Sequence, residues 1–385
     1  MVAMAALVTV SIMVLLPAQL FAETFNPRLG VQQPAPYARV PASAESVNER
    51  VVYTDLPDDV AVYDTNGDFF FVTVSAPNQS VLSWLIGANE PVVDLLTEEG
   101  KFGRRTPAQN RQVSLQQMRT ATQEAQYLAL LVAGYEPTVE PGEVIIEDVL
   151  CRVMADNGDC TEPFPADEQL DPADTILEVD GNPVGTLADL SAELDGRSPG
   201  DTVDLKIRRP DVGELDVTVE LSSAPEEPGR TIVGFRPFDT ATVDLPFDVS
   251  IDSGAVGGPS AGLAFTLALI DELTDGDLTG GRDIAVTGTI DLEGNVGPIG
   301  GLEQKVSAVH QNGVEVFLVP SSQYELGDPP DDEVPGSVCR WECLNAAGDG
   351  EVVLVPVASL DEALAALQML GGDPVVPVDA DDDTA

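Results

Sequence analysis

Val256-Gly257-Gly258-Pro259-Ser260-Ala261-Gly262-Leu263-Ala264-Phe265-Thr266-Leu267-Ala268-Leu269-Ile270 joins a run of small residues to an apolar helical stretch. The pattern predicts a tight turn with Ser260 at the mouth of a helix. At such a mouth the first backbone N–H groups lack intrahelical acceptors, and with the helix dipole they can hold an oxyanion as it develops in acyl transfer. Glycines there let a substrate carbonyl come close, because no Cβ stands in the way. Ser260 is the candidate nucleophile, with Gly258, Pro259 and Ala261 as its supports. A serine that merely caps a helix after a turn gives the same short pattern, so the reading needs a second group.

That group is sought in Thr287-Gly288-Thr289-Ile290-Asp291-Leu292-Glu293-Gly294-Asn295-Val296-Gly297-Pro298-Ile299-Gly300-Gly301-Leu302-Glu303-Gln304-Lys305. Strand, turn, Gly-rich loop and helix follow one another, placing Lys305 in the first turn of the helix. A lone lysine is ordinarily a solvated surface charge. Lysine is scarce in this chain, however: Lys101, Lys206 and Lys305 are the only three, and the last stands beside an apolar Pro-Ile-Gly-Gly loop. To take a proton from serine at neutral pH the amine must fall from about 10.4 to about 7 or 8, which burial and a nearby helix N-terminus both favour. Thr287 or Thr289 is expected to orient the neutral amine.

Together these stretches, from about residue 255 to 308, resemble the proteolytic domain of the Lon family: Gly258-Pro259-Ser260-Ala261-Gly262, then Pro298-Ile299-Gly300-Gly301, then Lys305, 45 positions after the serine. The resemblance implies a Ser-Lys dyad, Ser260 as nucleophile and Lys305 as base, with no histidine. Many Lon enzymes carry an acidic residue two positions before the Pro-Ser pair, where Gly257 stands here. The chain contains no G-x-x-x-x-G-K-[ST] phosphate loop. The expected activity is therefore ATP-independent hydrolysis of peptides or unfolded segments, with no metal and no organic cofactor. By resemblance alone, assembly into a hexameric ring is implied.

Upstream, strand-like Val144–Ile146 and Thr175–Val179, the turn Asp180-Gly181, a short helix near Leu187–Leu194 and strands Val203–Ile207 and Leu215–Leu221 follow in order. With Leu170-Asp171-Pro172-Ala173-Asp174-Thr175-Ile176-Leu177-Glu178-Val179-Asp180-Gly181-Asn182-Pro183-Val184 and Ser198-Pro199-Gly200-Asp201, this stretch resembles a bacterial PDZ domain. The resemblance implies capture of extended peptide ends by strand addition. An insertion bearing Cys160, between Met154 and Gln169, departs from the PDZ pattern and leaves the carboxylate-binding loop unplaced.

The rest of the chain sets the frame. Of 385 residues, 66 are acidic and 18 are Lys or Arg, a net charge of −48, which repels phosphate backbones and argues against a nucleic-acid partner. Residues 1–22 carry no charge and as one helix would reach about 33 Å, enough to span a bilayer. The expectation is a single-pass anchor in the cell membrane with an extracytoplasmic body. Cys151, Cys160, Cys339 and Cys343 form two local pairs suited to disulfides in an oxidising compartment; a four-thiolate zinc site is the alternative, though neither spacing is C-x-x-C. Residues 23–50, rich in proline, read as a stalk. The predicted organisation is α+β and multi-domain: anchor 1–22, stalk 23–50, an N-terminal α/β module 51–143 ending in a long amphipathic helix, a PDZ-like β-rich domain 144–223, a Lon-type α/β proteolytic domain 230–371, and an acidic tail 372–385.

Two other functions compete. Gly258-x-Ser260-x-Gly262 also fits the nucleophile elbow of α/β-hydrolases, with His310, the sole histidine, completing an esterase. A non-catalytic peptide-binding scaffold built on the PDZ-like domain is the third reading.

Overall fold

The computed structural model of the protein describes residues 2–26, 31–154, 160–224, 227, 229–324 and 341–378. Along the chain the principal elements are α1 (Val2–Leu15), β1 (Tyr37–Ser46), β2 (Phe69–Ser75), α2 (Val81–Gly87), β3 (Asp94–Leu96), α3 (Pro107–Val132), β4 (Thr138–Val149), β5 (Thr175–Val179), α4 (Leu187–Leu194), β6 (Thr202–Arg209), β7 (Gly213–Glu220), β8 (Phe235–Asp244), α5 (Gly262–Leu273), β9 (Ile284–Val286), α6 (Leu302–Gln311), β10 (Val316–Pro320), β11 (Val353–Val357) and α7 (Leu360–Met369).

 Helix α3 starts on a capping box, Thr106 with Gln109, and Pro107 at its first position.

Two sheets organise these elements. One runs β11-β10-β9-β2-β1-β3, parallel through β11, β10, β9 and β2, then antiparallel through β1 and β3. The other runs β7-β6-β5-β4-β8, all antiparallel, with Asn182–Pro183 pairing on β5. The first sheet draws on both ends of the chain: Ile284 pairs with Phe69 and Val286 with Phe71. Its main core mixes Phe69 and Phe71 with Ala125 and Leu128 of α3, the apolar face of α5, and Leu360, Ala363 and Leu367 of α7. Phe71 and Phe265 stack edge to face with ring centroids 5.7 Å apart. A second core, including Val144, Ile146, Ile176, Leu190, Leu205, Ile207 and Phe235, fills the antiparallel unit.

This arrangement revises the expected organisation. Residues 51–143 are no separate module: β2, β3 and α3 complete the sheet and core of the unit that carries Ser260 and Lys305, into which the PDZ-like unit is inserted through the antiparallel stem β4–β8. The supposed stalk, residues 23–50, contains β1, ten residues paired to β2 and β3. Its prolines hid that strand, for Pro41 sits at a register shift where the ladder is interrupted. Asn66-Gly67, a pair that often makes a hairpin turn, joins no two strands here, and residues 59–63 form no strand. Instead Gly67 lies flat on the Arg282 carbonyl, 2.2 Å from where a Cβ would stand. Strand β8, expected in the catalytic unit, closes the PDZ-like sheet.

The expected 22-residue anchor is also shortened. Helix α1 has 14 residues, about 21 Å long against a hydrocarbon core of about 30 Å. Pro17, which has no N–H to continue the ladder, follows it, and the chain turns to bridge Ser80. Among the described residues no helix is long and apolar enough to cross a membrane. The acidic tail from 379 onward lies outside the described residues.

Candidate active site

The turn before α5 is held from two sides. Gly258 takes φ +90°, a conformation open to glycine, and its N–H donates to the Ser114 carbonyl of α3 at 2.7 Å. Gly257 lies against the same residue: a Cβ there would come within 2.9 Å of the Ser114 Cβ. On the far side, the Ser260 carbonyl accepts the Gly288 N–H at 3.0 Å and the Thr287 hydroxyl at 3.1 Å. Those two donors fix the serine's backbone independently of the helix it introduces.

The turn sets Ser260 at 2.8 Å, Oγ to Nζ, from Lys305. Lys305 is the fourth residue of α6, whose start is set by Gly301 at φ +68°, in the left-handed region. The lysine side chain is only 2% exposed, among the largest buried side chains of the protein. No carboxylate pairs with it among the described residues. Burial alone therefore acts on its charge and lowers its pKa to about 7. Its Nζ also donates to Thr287 Oγ1 at 2.9 Å. Because the one Thr287 proton goes to the Ser260 carbonyl, this hydroxyl accepts from the amine and directs an N–H away from serine. The nitrogen lone pair is then free to face Ser260 Oγ.

Around the serine, the donors separate. Gly258 N–H is committed to Ser114, and Pro259 has no N–H, so neither supplies an oxyanion donor in this arrangement. The N–H groups of Ser260 and Ala261 have no backbone acceptor outside the regular elements among the described residues. They remain as donors at the helix mouth. Of the two threonines named from the sequence, Thr287 reaches Lys305. Thr289 instead pairs with Gly297 in a short hairpin and has no hydrogen bond to the lysine. Sequence reasoning missed Ser114, 146 residues before Ser260. Its one signal was Gly257, a glycine where the resemblance leads one to expect an acid.

His310 is not brought to this centre. It lies at the last turn of α6, its Nε2 3.3 Å from Asp349 and its Nδ1 3.7 Å from Glu351. Ser260 is hydrogen-bonded to Lys305 instead.

A second concavity lies in the PDZ-like unit, a groove of about 590 Å³ between α4 and the strand-and-loop path leading into β8. Leu187, Leu190, Leu194, Val233 and Phe235 make its apolar walls, with Arg197 and Arg230 at its rim. β8 is the outer strand of its sheet, so its edge faces the groove. Gly229 to Val233 and Phe235 thus line the groove from beyond the expected boundary at residue 223. Two hydrogen bonds tie α4 and the turn after it to the neighbouring strands: Asp239 accepts the Leu187 N–H at 2.6 Å, and Thr231 donates to the Arg197 carbonyl at 2.8 Å.

Of the four cysteines, Cys151 and Cys160 form a disulfide across a small hairpin, with Cα atoms 5.8 Å apart. Cys339 lies outside the described residues, so its expected pairing with Cys343 does too. Among the described residues no group of three metal-ligating side chains converges.

Comparison with known proteins agrees with this architecture. Residues 239–338 match the family model of the Lon protease (S16) C-terminal proteolytic domain, and residues 153–221 match that of the PDZ domain. The Lon protease of Chloroflexus aggregans is 34% identical over 162 residues, covering 40% of this chain and 18% of that protein. Lon protease 1 of Sorangium cellulosum is 33% identical over 132 residues, covering 31% and 16%. Lon protease 1 of Herpetosiphon aurantiacus is 39% identical over 105 residues, covering 27% and 12%. The chain therefore spans less than a fifth of the length of these relatives. Helix α3 and strands β1 to β3 lie outside both matched stretches.

Proposed function

We propose that this protein is a serine endopeptidase of the Ser-Lys type, acting without ATP on peptides or unfolded segments. The observation that carries the reading is the 2.8 Å approach of a buried amine, at a pKa of about 7, to a serine hydroxyl at a helix mouth. The neutral Lys305 nitrogen accepts the Ser260 Oγ–H proton as Oγ bonds to the substrate carbonyl carbon. The carbonyl π pair moves onto oxygen, where the Ser260 and Ala261 N–H groups stabilise it. The Lys305 ammonium then returns the proton to the leaving amine as the C–N bond breaks. Water, activated by the same amine, releases the acyl group.

The groove beside β8 supports presentation of an extended peptide end by strand addition, its arginines favouring a carboxylate. A body outside the cytoplasm is supported by the Cys151–Cys160 disulfide. Contact with a membrane is supported by α1, whose residues Met4, Leu7 and Leu15 are each about 70% exposed or more. Ring assembly rests on the resemblance to Lon and is read by sedimentation of the purified protein.

Incubation with an unfolded protein tests the assignment. Wild type is expected to cut it and Ser260→Ala to leave it intact. Equal cutting by both proteins would contradict Ser260 as the nucleophile, and none by either while peptide binds the groove would favour the scaffold reading. Loss of activity in His310→Ala with Lys305→Ala still active would select the esterase.

A further inference from the structure

We propose that Ser114 of α3 is a positioning residue for the acylation of Ser260, an inference that rests on the peptidase reading above. It sits 146 positions before the nucleophile, in a helix that neither family model reaches. Its carbonyl takes the Gly258 N–H at 2.7 Å, although as a mid-helix carbonyl it already faces its own helix's ladder. Its Cβ faces Gly257, leaving no space for a side chain there. The two contacts fasten consecutive residues of the nucleophile turn to one point on a long, capped helix.

The consequence for chemistry follows from which N–H groups remain. With Gly258 N–H committed to Ser114, the turn cannot rotate to offer that donor to a substrate. The carbonyl oxygen is received instead by the N–H groups of Ser260 and Ala261, next to the attacking Oγ. On the outer side of Gly258, no heavy atom lies within 4 Å of the place a Cβ would take, so the substrate approaches through open space. Helix α3 is itself fixed by packing along α5, with Ala121 3.7 Å from the position a Gly262 Cβ would occupy. The backing of the turn and the floor of the nucleophile helix are thus one rigid element. A displacement of about 1 Å at an attacking atom is enough to cost on the order of a hundredfold in rate.

A graded side-chain series at position 114 reads this directly, because the backbone acceptor is retained while the contact with Gly257 is enlarged. The rate of Ser260 labelling by a fluorophosphonate and the kcat and KM for a chromogenic peptide are measured for Ser114→Ala, Ser114→Cys and Ser114→Val. Ser114→Ala is expected to match wild type. Ser114→Val is expected to lose about tenfold or more in labelling rate and kcat, with KM within twofold and the pH midpoint of labelling unchanged, because the Lys305 pocket is untouched. Thermal melting of each variant separates displacement of the turn from loss of fold. Native kcat in a folded Ser114→Val, or a rate loss that merely tracks the melting temperature through the series, overturns the proposal. Failure of wild type itself to label overturns the peptidase reading instead.

Discussion

The two ends of helix α5 make an instructive pair. At its N-terminus, burial lowers the Lys305 amine to about 7; at its C-terminus, burial raises the Asp271 carboxyl to about 7. Each group stands at the end of the helix whose dipole disfavours its charged form. Desolvation has therefore neutralised a base at one end and an acid at the other. Their neighbours differ. Lys305 meets a hydroxyl at the mouth of a turn open to substrate, whereas Asp271 accepts the Leu278 N–H at 2.7 Å and its other oxygen has no partner among the described residues. Beside it, Glu272 receives Asn48 and the Tyr53 hydroxyl, both 2.9 Å away, and burial holds its carboxyl above the usual range. A displaced pKa marks a buried group at both ends; only one of them has a nucleophilic hydroxyl as its neighbour, and the proposed function rests on that difference.

Substitutions sharpen that contrast. The largest effect is expected from Lys305→Met, which removes the base and should slow acylation by about 10²–10⁴-fold. The same change should raise stability. Between pH 7 and the unfolded lysine value the unfolded chain holds the extra proton, so the wild-type penalty is full below pH 7 and fades as pH rises. Its size near neutrality is on the order of 4 kcal/mol, and the test is a melting curve beside the labelling rate. Active but less stable Lys305→Met would break the comparison.

Thr287→Val comes next. It removes the acceptor that turns the lysine and one of two donors to the Ser260 carbonyl, and should cost about tenfold in labelling rate, with protein still folded by circular dichroism. The smallest effect on activity is at the other end. Asp271→Asn keeps an oxygen for the Leu278 N–H and loses the charge. A carboxyl whose folded pKa is raised contributes stability that is present at low pH and lost as pH rises through about 7. The variant should therefore match wild type near pH 4 and exceed it at pH 8 by on the order of 4 kcal/mol, about three pKa units' worth, with activity unchanged. A pH-independent difference would show that Asp271 is not the titrating group.

The approach of Lys305 to Ser260 was legible because its signals are local: each residue follows a short Gly-rich loop at a helix start, in a fixed order. It carried the PDZ-like strands for the same reason, through the period and turns of residues 170–184. What it hid was pairing at a distance. Nothing near Phe69 announces Ile284 as its neighbour, so part of the unit that carries Ser260 and Lys305 read as a module of its own. Prolines in residues 34–41 read as a stalk although a strand runs through Pro41. Likewise β8 follows a linker-like segment, so its role as the groove edge falls outside any local pattern. The apolar run 1–22 was legible in composition, but the stop at Pro17 divides it.

The central claim is that a neutral Lys305 activates Ser260. The most direct measurement is the pH dependence of Ser260 labelling by a fluorophosphonate in wild type and in Lys305→Met. The rate in wild type should rise with pH through a midpoint near 7, as the amine loses its proton, and that step should vanish in the variant. An unchanged profile in Lys305→Met would contradict the account.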